Sequence, residues 1–389
     1  MPLWVVGGVL SFRPYAIASA RRVPVDSRAD HARQGHGTRR GPRRIACEPV
    51  RVYSGIQPTG RKHLGNYLGA IRHYVTGQEQ AAAAGDESIF CVVDLHATTV
   101  AYDPRELRDR TYDTLAILLA AGIDPAQSVL YRQGDVPEVP ELMWLLSSVT
   151  AHGDLNRMHQ FKEKSAQQRE LVSAGLFLYP VLMAADMLAF RADRVPVGDD
   201  QRQHIELTRD IAERFNARFG DGQEILRAPE GVYPTVAARI MDLQQPEKKM
   251  STSSGSVEGT VYVLDEPKAI EKKLKRAVTD SEDPPRIQRD IKAKPGVTNL
   301  VDILAATTDR TPDEVVASLA DARGYGDLKV QAAQAVVETF APIQERYREL
   351  REDEAAIEAA LAVGAEKASA IAAPILADVR EAMGVGPRR

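Results

Sequence analysis

The chain has few cysteines, no long apolar run and no motif typical of a metal site. Its 389 residues include only Cys47 and Cys91. Two cysteines exclude a disulfide scaffold and a cysteine-rich zinc site and favour a reducing compartment, so we expect a cytoplasmic protein. No uninterrupted apolar stretch approaches the roughly 20 residues of a membrane span, and we expect no membrane attachment. HExxH and CxxC patterns are absent, so we expect no metal ion held by protein ligands alone.

Positive charge is concentrated at one end of the chain. The whole sequence carries 50 basic and 54 acidic residues, a net charge of −4. Residues 1–48 contain nine arginines, no lysine and three acids, so this segment carries +6 and the remainder −10. Nothing in it is periodic, and we interpret it as a basic, disordered leader or as the result of a misassigned start. Its arginine content leaves an organellar transit peptide as an alternative.

Short apolar runs rich in β-forming residues alternate with helical patterns along the first two thirds of the chain. The runs predict strands at Val50–Tyr53, Ile89–Val93, Val129–Tyr131 and Arg194–Val197. Apolar residues on one face predict helices over 105–121 and 204–219. Strands that are apolar on both faces and alternate with helices indicate a parallel α/β sheet. Beyond about residue 267 the pattern is helical only, so we expect an α/β domain followed by a helical one.

A glycine-rich segment follows the first predicted strand. It reads SGIQPTG over 54–60 and continues as HLGN over 63–66. Glycines permit tight turns, and a helix beginning near 63–66 would present backbone N–H groups to a phosphate. His63 and Asn66 share one face of the first helical turn, and both can donate to phosphate oxygens. The alternative is an ordinary turn with an exposed histidine and a capping asparagine, and spacing alone does not decide between them.

A second polar segment, EKKMSTSSG over 247–255, combines lysines with hydroxyl residues. Such a loop can bring an ammonium group to a polyphosphate, while hydroxyl and N–H groups bind its oxygens. A solvated basic loop is the alternative.

Asp186 interrupts an apolar helical stretch, where a carboxylate is costly to bury unless it is partnered. It could accept a hydrogen bond from a ligand N–H; the alternatives are an aspartate that faces solvent or pairs with an arginine. The segment GDDQ over 198–201 follows a predicted strand, and His96 follows another. Both therefore lie at the carboxyl edge of the sheet, where open α/β sheets bind ligands.

Together these segments resemble the class I aminoacyl-tRNA synthetases, specifically the bacterial tryptophanyl-tRNA synthetases. HLGN resembles the HIGH-type signature of that family, and KMSTS over 249–253 resembles its KMSKS loop. Five further segments match in order and spacing: 54–60, 160–164, 183–188, 195–207 and 277–282. The resemblance as a whole covers residues 50–389. One departure is Thr252, which stands where the family usually has a second lysine.

Three alternatives remain beside this resemblance. The tyrosyl relatives share the scaffold, so tyrosine is the nearest rival substrate. A small adenylyltransferase also combines an HxGH-like motif with a parallel sheet, although it needs no long helical region. Thr252 keeps open a non-catalytic paralogue that binds RNA or a protein partner.

The resemblance implies a Rossmann-like catalytic domain over 49–258, with the KMSKS-type loop at 249–253. A helical anticodon-binding region would span 259–389, with its last helix a candidate to pack back on the catalytic domain. The implied reaction activates L-tryptophan with ATP, with Mg²⁺ bound to the ATP phosphates, and then charges tRNA(Trp). A homodimer is also implied, and the apolar segment Trp144–Leu146 is a candidate contact. A basic cluster at 268–276 is a candidate RNA contact.

The resemblance also implies individual site residues. His63, Asn66 and Lys249 would act on the phosphates, with Gln160 and Lys164 assisting. The implied ATP site comprises Gln57, Pro58, Thr59, Gly65, Asn66, Gly198, Asp199, Asp200, Ile240, Lys249, Met250, Ser251, Thr252 and Ser253. The implied tryptophan site comprises Asp186 as acceptor of the indole N–H, surrounded by Tyr53, Met183, Val195, Val197, Gln201 and His96.

Overall fold

The computed structural model describes residues 49–161, 172–233, 239–252 and 256–387. The predicted leader 1–48 and two of the implied site residues, Lys164 and Ser253, lie outside the described residues.

A five-stranded parallel sheet forms the centre of the described chain. Its strands are β1 (Arg51–Ile56), β2 (Glu87–Val92), β3 (Val129–Arg132), β4 (Arg194–Pro196) and β5 (Glu230–Val232). The strand order is β3-β2-β1-β4-β5, and every pair is parallel. The predicted parallel α/β fold is therefore confirmed. Sequence analysis missed β5 because its three residues, with a glycine in the middle, form no apolar run.

The first strand is longer than predicted. It continues beyond Tyr53 to Ile56, and Ser54–Ile56 pair with Phe90–Val92 of β2. Gly55 is therefore a strand residue, and the turn begins at Gln57. Of the three glycines in this segment only Gly60, with φ +67°, has a backbone conformation that favours glycine.

Helices connect the strands and pack on both faces of the sheet. Between β1 and β2 lie α1 (Leu64–Asn66), a π-helical turn (Tyr67–Ile71) and α2 (Arg72–Ala84). Between β2 and β3 lie α3 (Asp94–Ala97) and α4 (Pro104–Ala121). Between β3 and β4 lie a 3-10 turn (Gln133–Asp135), α5 (Glu138–Ser147), α6 (His152–Arg157) and α7 (Ala174–Leu188). A 3-10 turn (Asp199–Gln201) and α8 (Arg202–Phe219) precede β5.

Local sequence explains where α4 begins. The Asp103 side chain accepts hydrogen bonds from the N–H groups of Arg105 and Glu106, and Pro104 occupies the first helical position. The helices predicted over 105–121 and 204–219 are thus confirmed as α4 and α8.

The C-terminal part is helical, as predicted. It comprises α9 (Pro267–Lys275), α10 (Pro295–Thr307), α11 (Pro312–Ser318), α12 (Tyr325–Glu352) and α13 (Glu354–Met383). One apolar cluster contains Ile56 and Leu118 together with Leu300 and Phe340, so it crosses the predicted domain boundary at 258.

The last helix, α13, packs against β3 and α5. A Cβ at Gly364 would lie 1.7 Å from the Leu130 carbonyl oxygen, so this close crossing requires glycine. Within the described residues α13 is also the one helix whose length and apolar composition would suffice to cross a membrane.

Candidate active site

Asp186 lies on α7, completely buried against the carboxyl edge of the sheet. One carboxylate oxygen is 2.8 Å from His96 Nε2, and the other accepts a hydrogen bond of 2.7 Å from Gln133 Nε2. His96 lies on α3 directly beyond β2, and Gln133 follows β3. The alternatives of an exposed or arginine-paired Asp186 are therefore wrong, because a histidine and an amide share this carboxylate.

Burial raises the pKa of Asp186, and the bonds from His96 and Gln133 oppose this shift. If His96 donates from Nε2, its Nδ1 is an acceptor. Within the described part of the chain, His96 Nδ1 is buried and has no hydrogen-bond partner. The same holds for the amide oxygens of Gln133 and Gln201. The hydrogen-bonding capacity of these buried acceptors is thus not used.

Apolar side chains surround this polar centre. Tyr53, Met183, Val195 and Val197 are completely buried and belong to one apolar cluster. The Tyr53 ring is stacked on Phe190, with ring centroids 5.8 Å apart. The apolar residues that the resemblance implies for tryptophan thus lie in one buried cluster, on β1, on α7, on β4 and directly after β4.

Sequence analysis missed two polar residues of this region. Gln133 could have been found, because it is the first residue after β3 and lies at the same sheet edge as His96. The Tyr179 hydroxyl is 3.0 Å from His204 Nε2, and its ring contacts the ring of His96. Tyr179 gave no signal, since an aromatic residue in an apolar helical stretch is typical of a core.

The segment after β1 forms a helix cap from two side chains. His63 precedes α1, and its Nδ1 accepts a hydrogen bond from the Asn66 N–H, while Asn66 Oδ1 accepts one from the His63 N–H. Both side chains are buried. The expected capping role of Asn66 is present, but His63 is not exposed.

The protonation state of His63 follows from this geometry. Burial, with the neighbouring charges of Lys249 and Lys62, lowers its pKa to about 3. His63 is therefore neutral near pH 7, and because Nδ1 accepts, its proton lies on Nε2. It can act as a neutral hydrogen-bond donor, not as a cation.

The polar loop at 249–252 lies beside this cap. Met241 and Lys249 form an antiparallel bridge, and the Met250 N–H donates to the Ile240 carbonyl with a distance of 3.0 Å. Met250 is buried, whereas Lys248 and Lys249 are both exposed. Lys249 has a lowered pKa because it is partly desolvated, with nearby Asp200 opposing the shift.

Thr252 connects this loop to the glycine-rich turn. Its hydroxyl donates to the Arg61 carbonyl with a distance of 3.0 Å. A Cβ at Gly60 would lie 2.9 Å from the Thr252 methyl group, so the two segments are in close contact.

The segment after β4 completes this edge of the sheet. Gly198 is extended and precedes the 3-10 turn of Asp199–Gln201. The Asp200 carbonyl accepts from Gln160 Nε2 at 3.2 Å, and its carboxylate accepts from Gln201 Nε2 at 2.8 Å. Gln201 therefore contacts the aspartate next to it, although the resemblance places it at the tryptophan site.

The remaining implied ATP residues lie in the same area. Gln57 and Pro58 are buried, and Thr59 is exposed with its hydroxyl 3.3 Å from Gln57 Oε1. A Cβ at Gly65 would lie 3.6 Å from Ile240 Cβ, which places α1 against the strand-like segment before the loop. The turn, α1 and the segment that leads into the loop are thus in contact with one another.

Comparison with known proteins identifies the family. A model of the class I tRNA synthetases for W and Y matches residues 46–341. The tryptophanyl-tRNA synthetase of Mycoplasma pneumoniae is 35% identical, with a TM-score of 0.77 over 87% of this chain and 98% of that one. The chain belongs to the tryptophanyl-tRNA synthetases.

Other solved structures agree with this assignment. The tryptophanyl-tRNA synthetase of Campylobacter jejuni, solved with ADP and tryptophan, is 34% identical, with a TM-score of 0.74 over 86% of this chain and 100% of that one. The tyrosyl-tRNA synthetase of Aeropyrum pernix is 20% identical, with a TM-score of 0.59 over 80% of this chain and 89% of that one, and shares the fold. The identities of 34–35% are to bacterial tryptophanyl-tRNA synthetases.

Proposed function

We propose that the pocket at Asp186 binds L-tryptophan and that the adjoining edge binds ATP for its activation. The chain is a tryptophan–tRNA ligase by family. In the first step the tryptophan carboxylate attacks the α-phosphorus of ATP, and pyrophosphate leaves. In the second step a hydroxyl of the tRNA 3′-terminal ribose takes the acyl group from the adenylate, and AMP leaves.

The observation that carries this proposal is the buried acceptor set around Asp186. Tryptophan brings an indole N–H and an ammonium group, which are donors, together with a large apolar ring. Asp186, held by His96 and Gln133, would accept the indole N–H within the apolar walls. Phenylalanine would leave the buried carboxylate without its ligand donor, and such sites reject the deficient analogue by about 10⁴-fold or more.

The ATP side would work by positioning and charge stabilisation, as in other phosphoryl chemistry. His63 Nε2–H and the Asn66 amide would donate to phosphate oxygens, and Lys249 would place a positive charge beside the departing pyrophosphate. Thr252 supplies no charge, so Lys249 carries this role more fully than in a loop with two lysines. Met250, Ser251 and Thr252 would position the loop.

The nucleoside side of ATP would lie between two segments. Gly198, Asp199 and Asp200 would hold the ribose, and Ile240, which faces Gly65, would lie against the adenine. Gln57, Pro58 and Thr59 would approach the phosphates from the turn. Gln160, already bonded to the Asp200 carbonyl, would support this edge. Lys164 and Ser253 keep the roles that the resemblance implies.

We further propose that Mg²⁺ binds together with the ATP phosphates. The described residues contain no group of three His, Cys, Asp or Glu side chains that could hold a metal ion. Magnesium usually keeps several waters and is bound through substrate phosphates, so phosphate and water ligands fit this site. The ion would neutralise charge on the departing pyrophosphate.

The helical region would bind the tRNA anticodon, and the enzyme would act in the cytoplasm as a homodimer. In the basic cluster at 268–276, Lys273 and Lys275 form ion pairs with Asp265 and Glu271. The cluster therefore has less charge available for RNA than its sequence suggests. Trp144 on α5 is 72% exposed, and a large exposed aromatic residue is typical of an interface, which supports a dimer contact there.

ATP–pyrophosphate exchange with a panel of amino acids, followed by tRNA charging, tests the proposed function. We expect exchange that depends on tryptophan and charging of tRNA(Trp). Equal exchange with tyrosine would show that the tyrosyl alternative is correct. Absence of exchange with every amino acid would favour the non-catalytic paralogue.

A further inference from the structure

A cavity lies behind the glycine-rich turn, and none of the residues assigned to tryptophan or ATP lines it. Its volume is about 110 Å³. The turn contributes Arg61 and Lys62, α4 contributes Arg110 and Asp113, and the segment before α9 contributes Tyr262. Three cations and one carboxylate thus line one small cavity.

Lys62 is the most unusual of these residues, because it is only 5% exposed. Its ammonium donates one hydrogen bond, of 2.7 Å, to the Gln57 carbonyl. Burial and the neighbouring Arg110 lower its pKa to about 7, while Asp113 opposes the shift. A buried ammonium with one neutral acceptor is costly unless an anion accompanies it.

Asp113 does not supply the missing negative charge in full. One of its oxygens accepts a 2.6 Å hydrogen bond from the Tyr347 hydroxyl and lies 3.3 Å from Arg351 Nε. Its contact with Arg110 is long, at 3.5 Å. Asp113 is therefore shared with α12, and its charge is largely balanced from that side.

Arg110 is also incompletely paired. Its other ion pair, with the exposed Glu106, has a distance of 3.6 Å. Its Nε is buried and, among the residues that the structure describes, has no hydrogen-bond partner. Arg110 and Lys62 thus bring two insufficiently compensated positive charges to one cavity.

Arg61 is fixed at the same cavity by two contacts. Its guanidinium lies over the Tyr262 ring, 4.1 Å from the centroid, and is 3.1 Å from Asp265. Asp265 also pairs with Lys273 at 2.6 Å, so its charge too is shared between cations. A positioned guanidinium is suited to the tetrahedral oxygens of a phosphate group.

We propose that this cavity binds a small anion of the phosphate class, held by Lys62 and Arg110 with Arg61 at its edge. The anion supplies the charge that Asp113 and Asp265 do not. Free phosphate and a phosphate monoester share this chemistry.

Sulfate is a suitable first probe, because its charge does not change between pH 6 and pH 9. Calorimetric titration of the full chain with sulfate at constant ionic strength is expected to detect a site that Lys62→Met and Arg110→Gln each weaken at least about tenfold. Lys249→Met is expected to retain this site, which separates it from the ATP phosphates. Arg108→Gln, an exposed change on the same helix, is the matched control and is expected to bind as the unaltered chain does. Circular dichroism checks that each variant is folded.

The pH profile provides a second readout. Sulfate affinity is expected to fall at least about tenfold from pH 6 to pH 9 as Lys62 loses its proton, and Lys62→Arg is expected to remove most of this dependence. Titrations with inorganic phosphate and ribose 5-phosphate then distinguish the free ion from a monoester. Sulfate binding that is unchanged in Lys62→Met and Arg110→Gln, or that disappears only in Lys249→Met, would overturn the proposal. None of these measurements depends on tryptophan activation.

Discussion

The two halves of the proposed active site are built differently. At the tryptophan half, Asp186 is completely buried, both its oxygens are bonded, and its apolar walls come from strands and a core helix. At the ATP half, Lys249 and Thr252 lie on an exposed loop, which a hydrogen bond from the Thr252 hydroxyl joins to the turn.

This difference separates two tasks. Distinguishing one amino acid from another requires a rigid pocket, and a packed, hydrogen-bonded polar centre provides this rigidity. Phosphoryl transfer requires charges that follow the reacting groups, and loops can provide such movement. We therefore expect substitutions in the pocket to change substrate selection, and substitutions in the loop to change the rate of activation.

The largest effect is expected for Asp186→Ala. It removes the acceptor for the indole N–H and leaves the His96 and Gln133 donors unpaired, so kcat/KM for tryptophan in ATP–pyrophosphate exchange should fall on the order of 10⁴-fold. ATP binding, measured by equilibrium dialysis, should persist. Asp210→Ala, an exposed change on α8, is the matched control. Retained exchange in Asp186→Ala would remove the basis for the pocket assignment.

The next largest effect is expected for Lys249→Ala. Loss of the charge at the departing pyrophosphate should reduce the rate of adenylate formation by about 10²–10³-fold, while tryptophan binding is unchanged. Lys248→Ala is a close control, because it removes the same charge from the adjacent residue. We expect Lys248→Ala to stay within about threefold of the unaltered enzyme, since adjacent side chains of an extended segment point to opposite sides. Similar losses in the two variants would contradict the special role of Lys249.

A moderate effect on stability is expected from the cap at His63. Its pKa is lowered to about 3 in the folded chain, so the unfolded chain binds a proton first as pH falls below about 6.5. His63 therefore contributes fully to the free energy of unfolding above about pH 6.5. This contribution falls by roughly 1 kcal/mol per pH unit as the pH decreases towards 3.

His63→Asn tests this pH dependence, because asparagine is also a good N-cap residue but does not titrate. In urea unfolding between pH 7 and pH 4, the unaltered chain should lose stability relative to His63→Asn. His159→Asn, at an exposed histidine, should not show this relative change. If the free energy of unfolding changed with pH in the same way for the unaltered chain and for His63→Asn, folding would not lower the pKa of His63.

The smallest effect is expected for Thr252→Val. This change preserves the side-chain shape but removes the hydrogen bond to the Arg61 carbonyl, which is worth about 0.5–1.5 kcal/mol. KM for ATP in the exchange assay should rise roughly two- to tenfold, with KM for tryptophan unaffected. A change confined to tryptophan would mean that the loop and the pocket are not separate in function.

The sequence was sufficient to predict the parallel sheet, because apolar runs and helical periodicity are properties of neighbouring residues. It also pointed to Asp186, since one carboxylate in an apolar helix is conspicuous. The partners of Asp186 were not predictable in the same way. Gln133 approaches it across 53 positions of sequence, and only the strand order brings them together.

Side-chain geometry explains the remaining differences. The extension of β1 through Gly55 depends on pairing with β2, which the local sequence does not reveal. The cap between His63 and Asn66 fixes one histidine nitrogen as an acceptor, a detail that depends on backbone position. Lys62 was overlooked because a lysine in a turn is usually solvated, and its burial follows from packing against α4 and the segment before α9.

The most direct test of the account uses a tryptophan analogue that lacks the indole N–H. In β-(3-benzothienyl)alanine a sulfur replaces that group, with little change in ring shape. We predict that the enzyme's kcat/KM in ATP–pyrophosphate exchange is on the order of 10⁴-fold lower for this analogue than for tryptophan, because the Asp186 carboxylate then lacks the donor that the ligand provides. Equal values for the two amino acids would contradict the assignment of Asp186 as the acceptor that selects tryptophan.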